Sequence, residues 1–133
     1  MEKIILVLDD PRQWQRRKDS VEEQVQRQLL IGDYSYKHAR KLVDESCLLI
    51  AEPWPVDFHC EGLDLNEIKN RRMSIVLYAK KRVPVLVVSA AGEVTLENKI
   101  GIKKGVDYHA YVQKPANLRV LLYGVAELLR NGS

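Results

Sequence analysis

The sequence predicts an α/β fold: a five-stranded parallel sheet, doubly wound as (βα)5, with a shortened second helix. Three observations lead there. Short continuous apolar runs, such as Lys3 to Leu8 and Val83 to Ser89, have the composition of strands buried on both faces. Amphipathic stretches at helical spacing lie between them. The two kinds of segment alternate five times, the order that covers both faces of a parallel sheet. The chain has 133 residues, the size of one domain, so residues 1–133 are read as a single domain. At 46% hydrophobic, it has too much apolar material for a disordered chain.

The first strand, Lys3-Ile4-Ile5-Leu6-Val7-Leu8, is closed by Asp9-Asp10-Pro11. Asp10 before Pro11 starts a helix: the carboxylate caps free backbone N–H groups, and proline fits the first turn. This helix is expected to reach Leu30, with Trp14, Val21, Val25 and Leu29 near one face, and to stop at Gly32-Asp33. Tyr34 to Ala39 alternates weakly and is the expected second strand. Arg40 to Ser46 then leaves room for about one or two helical turns. Cys47 to Ala51 is the third strand. Glu52-Pro53-Trp54-Pro55 closes it, since two prolines so close exclude a helix. After a loop to Gly62, Leu65, Ile68, Ile75, Val76 and Ala79 recur at helical spacing, with Lys80-Lys81-Arg82 expected in the last turn. Val83 to Ser89 is the fourth strand. A fourth helix is expected from Thr95 to Lys104, ending at Gly105. Tyr108 to Val112 is the fifth strand, broken by Lys114-Pro115. Asn117 caps a final helix with Leu118, Leu121, Leu122, Val125 and Leu129 on its apolar side.

Composition narrows the function. Lys+Arg 21 against Asp+Glu 18 gives +3, too mild a charge to argue for nucleic acid. The basic clusters at Arg12–Lys18, Lys69–Arg72 and Lys80–Arg82 are interspersed with acidic residues, and solvation and helix-end placement account for them. No apolar run approaches the ~18 residues of a membrane span, and no signal peptide is evident. Cys47 and Cys60 form no CxxC pair, and the isolated His59 and His109 add no ligand spacing. A reduced, cytoplasmic protein is expected, without a zinc site or disulfide framework.

Ligands of open parallel sheets bind beyond the carboxyl ends of the strands. Four strand ends bring Asp9 and Asp10, Ala51 and Glu52, Ser89, and Lys114 to one edge. Paired carboxylates with a third oxygen suit Mg²⁺, and a lysine with a hydroxyl suits phosphoryl oxygens.

This constellation resembles the receiver domain of two-component response regulators, the CheY-like superfamily, over nearly the whole chain. Pro84-Val85-Leu86-Val87-Val88-Ser89-Ala90 is similar to the family's fourth strand with its Ser/Thr-Ala ending. Gly105-Val106-Asp107-Tyr108 resembles its Gly-Ala-Asp-Asp-Tyr segment, and Lys114-Pro115 its Lys-Pro. The resemblance implies a flavodoxin-like three-layer sandwich and a cis Lys114-Pro115 bond. It also implies Asp9 and Asp10 as a weak Mg²⁺ site, and no other cofactor. Tyr111 falls at the switch aromatic, which in the family turns inward with the Ser/Thr when the domain is phosphorylated.

The family's phosphoacceptor Asp has no counterpart. Aligning Pro55 with the family's loop proline puts Ala51 at that position, and a one-residue slip puts Glu52 there. Alanine has no nucleophile. Glutamate is a methylene too long, and a 1 Å misplacement can cost about a hundredfold. Asp57 lies farther along, in the loop. The sequence therefore resembles an atypical or pseudo-receiver. Its retained residues read as relics or, less favoured, as a fixed conformation with Glu52 standing in for a phosphorylated state.

Three functions follow, in this order. The first is a non-enzymatic protein–protein interaction module, independent of phosphorylation. The resemblance implies a signalling partner (a histidine kinase, an output domain or a second copy as homodimer) on the face from Thr95 to Leu129. The second is a Mg²⁺-dependent phosphoacceptor using Glu52 or Asp57. The third is a small nucleotide- or flavin-binding protein, which the lack of a Gly-rich turn after the first strand disfavours. Trp54, between prolines, is expected to pack over the sheet edge rather than to anchor a partner.

Overall fold

Five parallel strands form one sheet in the computed structural model, which describes residues 3–32, 36–54 and 64–131. They are β1 (Ile4–Leu8), β2 (Leu29–Gly32), β3 (Ser46–Ala51), β4 (Val85–Ser89) and β5 (Ala110–Gln113), in the order β2-β1-β3-β4-β5. The helices are α1 (Pro11–Val25), α2 (Tyr36–Asp44), α3 (Leu65–Ala79), α4 (Glu93–Thr95) and α5 (Leu118–Asn131). A π-helical stretch, Leu96–Ile100, continues α4. This is the doubly wound, CheY-like arrangement.

Strand residues alternate between the two faces of the sheet, so each apolar run feeds two cores. Leu6, Leu8, Leu49, Ala51, Val85 and Val87 pack against Ala39 and Val43 of α2, Ile75, Val76 and Ala79 of α3, and Leu96. Ile5, Val7, Leu48, Ile50, Leu86 and Val88 pack against Trp14 and Val21 of α1 and Leu121, Val125 and Leu128 of α5. Each such side chain contributes about 1.5–3 kcal/mol on burial.

Several expected boundaries are corrected. α1 ends at Val25 rather than near Leu30. Gln26 turns left-handed (φ 55°) and donates its N–H to the Glu22 carbonyl. Leu29 fits the helical period and also opens an apolar triplet, and the pairing of Leu29, Leu30 and Ile31 with β1 wins. The second strand is therefore Leu29–Gly32, not Tyr34 to Ala39. Of the residues expected to form it, Tyr36 to Ala39 begin α2 instead, while Tyr34 and Ser35 lie outside the described residues; at nine residues α2 is shorter than α1, α3 and α5. The stretch Lys80-Lys81-Arg82 lies beyond the end of α3 rather than in its last turn, because Arg82 and Val83 both donate N–H to the Ala79 carbonyl. The fourth helix starts at Glu93 and its continuation stops at Gly101 (φ 88°), four residues before the expected Gly105. Pro84 lies outside the β4 ladder, though its carbonyl accepts from Leu49. The fifth strand opens at Ala110 rather than Tyr108.

Asn117 caps α5 as expected, accepting the Val120 N–H at 2.9 Å, and the Lys114-Pro115 bond is cis. No helix among the described residues is long and apolar enough to cross a membrane.

Candidate functional site at the carboxyl edge of the sheet

Parallel pairing in register decides which residues meet. Leu8 pairs with Ala51, Ala51 with Val87, and Ser89 with Gln113, so the first residues past these strands share one edge. Asp9, Glu52, Ser89 and Lys114 converge there. Asp9, Glu52 and Ser89 are buried. The Lys114 ammonium lies 2.8 Å from Asp9 Oδ1 and 3.3 Å from Glu52 Oε2, so one cation bridges two carboxylates.

Ala51 and Glu52 part company at this edge. Ala51 closes β3, and its methyl lies in the apolar layer with Leu8 and Val87. Glu52, one residue on, is the position whose side chain enters the polar site. Its Oε1 accepts the Trp54 N–H at 2.8 Å and its Oε2 the Ala90 N–H at 3.1 Å. Lys114 also reaches Oε2, and the Ser89 hydroxyl hydrogen-bonds the same carboxylate. Ser89 Oγ in turn accepts the Ala91 N–H at 3.1 Å. A carboxylate has about four acceptor sites, and these donors use them.

Asp9 is equally engaged. Oδ1 accepts from Lys114 and from the Asp10 N–H at 2.6 Å, and Oδ2 accepts the Trp14 indole N–H at 2.8 Å. Asp10 turns to its own helix. Its Oδ1 caps α1 through the Arg12 N–H at 3.0 Å, and it pairs with the Arg12 guanidinium at 3.3 Å. The expected acidic pair thus divides, one member into the lysine network and one into a helix cap.

The electrostatics follow from burial and pairing. Burial pushes the Glu52 carboxyl up; Ser89, Lys114 and the Trp54 N–H pull it down without cancelling that, and the Asp9 charge adds to the rise. Burial would lower Lys114, but Asp9 and Glu52 together outweigh it and hold the ammonium above its ordinary value. The partners differ because Lys114 has two carboxylates, whereas Glu52 shares its cation with a like-charged neighbour.

Tyr111, the expected switch aromatic, is half-buried against the core, and its hydroxyl donates to the Ala91 carbonyl beyond β4. Burial raises its phenol, so at neutral pH it stays a donor. Trp54 packs on the same core, with the Lys69 ammonium 5.3 Å from its ring. Asp57, His59 and Cys60 lie outside the described residues. Among the described residues, no cluster of three or more His, Cys, Asp or Glu could hold a metal ion.

Two residues have polar roles here that their sequence context does not signal. Trp14 reads as a core aromatic, which it is, but its N–H is also a polar handle that a buried indole must satisfy. Arg72 reads as part of a solvated cluster, and this is corrected. It is buried, and Nη1 donates to the carbonyls of Glu52 (3.2 Å) and Trp54 (2.9 Å), tying the chain after β3 to α3. Nothing in its spacing signals this, because the acceptors are loop carbonyls some twenty residues away.

No family model matches the chain, and no curated protein matches it. Solved structures do. The chain is similar to the N-terminal domain of a response regulator/sensory box/GGDEF protein from Carboxydothermus hydrogenoformans. The two are 21% identical over 98% of this chain and 95% of that one, with a TM-score of 0.66. It is also similar to a CheY-like receiver domain protein from Methanospirillum hungatei JF-1 (17% identity, 99% and 97% coverage, TM-score 0.63). A third is the receiver domain of a sensor histidine kinase from Pseudomonas aeruginosa PAO1, solved with magnesium in its active site cleft (12% identity, 98% and 99%, TM-score 0.61). At such identities the likeness speaks to the fold, which is that of receiver domains.

Proposed function

We propose that this chain is a receiver-type signalling domain that presents its partner-binding surface without being phosphorylated, and that it is not an enzyme. The observation that carries the reading is the position of the Glu52 carboxylate. It takes the Ala90 N–H, the Ser89 hydroxyl and the Lys114 ammonium, donors suited to the oxygens of a phosphoryl group. The resemblance to receivers makes Ser89 and Tyr111 the pair that responds to phosphorylation. Here Ser89 is engaged with Glu52, and Tyr111 is drawn in to the Ala91 carbonyl. Glutamate substitutes for an acyl phosphate only in part. It brings one charge and two oxygens, against about −1.5 to −2 charges and three oxygens. Standing contacts nevertheless favour a fixed conformation over a relic.

The surface on offer is the one the resemblance implies, formed by α4, β5 and α5. Two of these elements carry large exposed apolar side chains, Val94 of α4 (72% exposed) and Tyr123 of α5 (68%). An exposed tyrosine of this kind serves as an anchor in protein interfaces. The partner class is a signalling protein: a kinase, an output domain or a second copy.

Intact-mass spectrometry after incubation with acetyl phosphate and Mg²⁺ tests the reading. No mass gain is expected. A Mg²⁺-dependent gain of one phosphoryl group, lost in Glu52→Gln or in Asp57→Asn, would overturn it and identify a working phosphoacceptor.

A further inference from the structure

The carboxylates at this edge do not fit the Mg²⁺ that a receiver site implies. Mg²⁺ demands near-octahedral oxygen ligation at about 2.0–2.1 Å and binds through carboxylate lone pairs that face it. Here those lone pairs face N–H and O–H donors. Asp9 Oδ1 holds Lys114 and the Asp10 N–H, and Asp9 Oδ2 holds the Trp14 indole. Glu52 is saturated by Trp54, Ala90, Ser89 and Lys114. Asp10 Oδ1 is a helix cap. Asp10 Oδ2 has only a 3.4 Å contact to Arg12, and one monodentate oxygen does not make a chelate.

We infer that the site is closed to divalent cations, and that the Trp14 indole N–H holds it closed by occupying the Asp9 oxygen that Lys114 leaves available. Asp9 is buried, so Oδ2 needs a partner, either a donor or a cation. Trp14 is itself buried, so its N–H needs an acceptor, and Asp9 supplies it at 2.8 Å. Each group satisfies the other, and a metal would have to orphan the indole N–H. Lys114 adds to the exclusion, because its ammonium already supplies positive charge between Asp9 and Glu52. Burial works in the same direction, since the Asp9 and Glu52 side chains are 0% and 2% exposed. A cleft of about 420 Å³ lined by Asp9, Gln13, Trp14, Arg17, Lys114 and Pro115 opens onto this edge.

The chain has two tryptophans, so its indole N–H region in a proton–nitrogen correlation spectrum holds two signals, assigned with Trp54→Phe. Titration of the wild-type protein with Mg²⁺, and with Mn²⁺ as a relaxation probe, should leave the Trp14 signal unshifted and unbroadened. Trp14→Phe frees Asp9 Oδ2 and should gain a Mn²⁺-binding event that Asp9→Asn removes. Saturable broadening of the wild-type Trp14 signal, with a dissociation constant below about 1 mM, would overturn the inference. So would a folded Trp14→Phe protein that binds no Mn²⁺. If Trp14→Phe does not fold, the wild-type titration decides alone. This test is separate from the phosphorylation test: a site that binds Mg²⁺ and gains no phosphoryl mass refutes the closure only.

Discussion

Lys114 is the residue on which the edge depends, because Asp9 and Glu52 both lean on its ammonium. Removing one partner of a buried pair leaves charge uncompensated, which typically costs about 3–5 kcal/mol. Lys114→Ala should therefore lose stability in that range by urea unfolding. Arg12→Ala is the contrasting case. Its side chain is 80% exposed beside Asp10, and surface pairs contribute about 0–1 kcal/mol, so the variant should unfold within about 1 kcal/mol of wild type. Similar losses for both variants would mean that burial does not set the strength of these pairs. Most site residues were legible in the sequence as strand-end positions. Their bonding was not, since Asp9 and Asp10 are neighbours in the chain yet hold different partners.

Among the elements, the passage from α1 into β2 is where the structure departs furthest from the sequence pattern, and the reason is local. Gln26 is the one non-glycine with positive φ among the described residues, at 55°. A glycine there would have announced the helix end, because only glycine enters this region without steric cost. Glutamine leaves the helical period unbroken through Leu29. Gln26→Gly should accordingly stabilise the protein by about 0.5–1 kcal/mol, relieving a left-handed residue whose strain is about 1–2 kcal/mol. The gain is partly offset by loss of the exposed Gln26 bond to the Glu23 carbonyl. Chemical denaturation of the single variant measures it, and a destabilised variant would show that this bond outweighs the strain. β1, β3 and β4 suffered no such ambiguity, since both of their faces are apolar and no helical period competes.

At the scale of the whole molecule, stability against pH should have two opposed parts. Glu52 is raised in the folded protein, so its contribution is fully present below its unfolded value of 4.5 and is lost as pH rises through the folded value. Asp10 and Glu22 are lowered. At Asp10 burial opposes the shift, but the Arg12 hydrogen bonds and charge prevail; at Glu22 the Leu29 N–H leads. Their contributions are present above 3.8 and 4.5 and are lost as pH falls through the folded values. Melting temperatures of wild type and Glu52→Gln across the acid range should show wild type losing ground to the variant as pH rises toward neutrality. Parallel curves would mean that Glu52 ionises as freely folded as unfolded. By itself, the sequence determined the parallel sheet and its two apolar cores, because local alternation of apolar runs and amphipathic helices carries that information. It also determined which residues stand past each strand, and that no Asp follows the third. Only the tertiary structure decided that Glu52 rather than Ala51 points into the polar edge, that Trp14 holds Asp9, and that Arg72 anchors the Glu52 loop. Those are contacts between residues far apart in the chain, formed by satisfying buried donors and acceptors, and no periodicity records them.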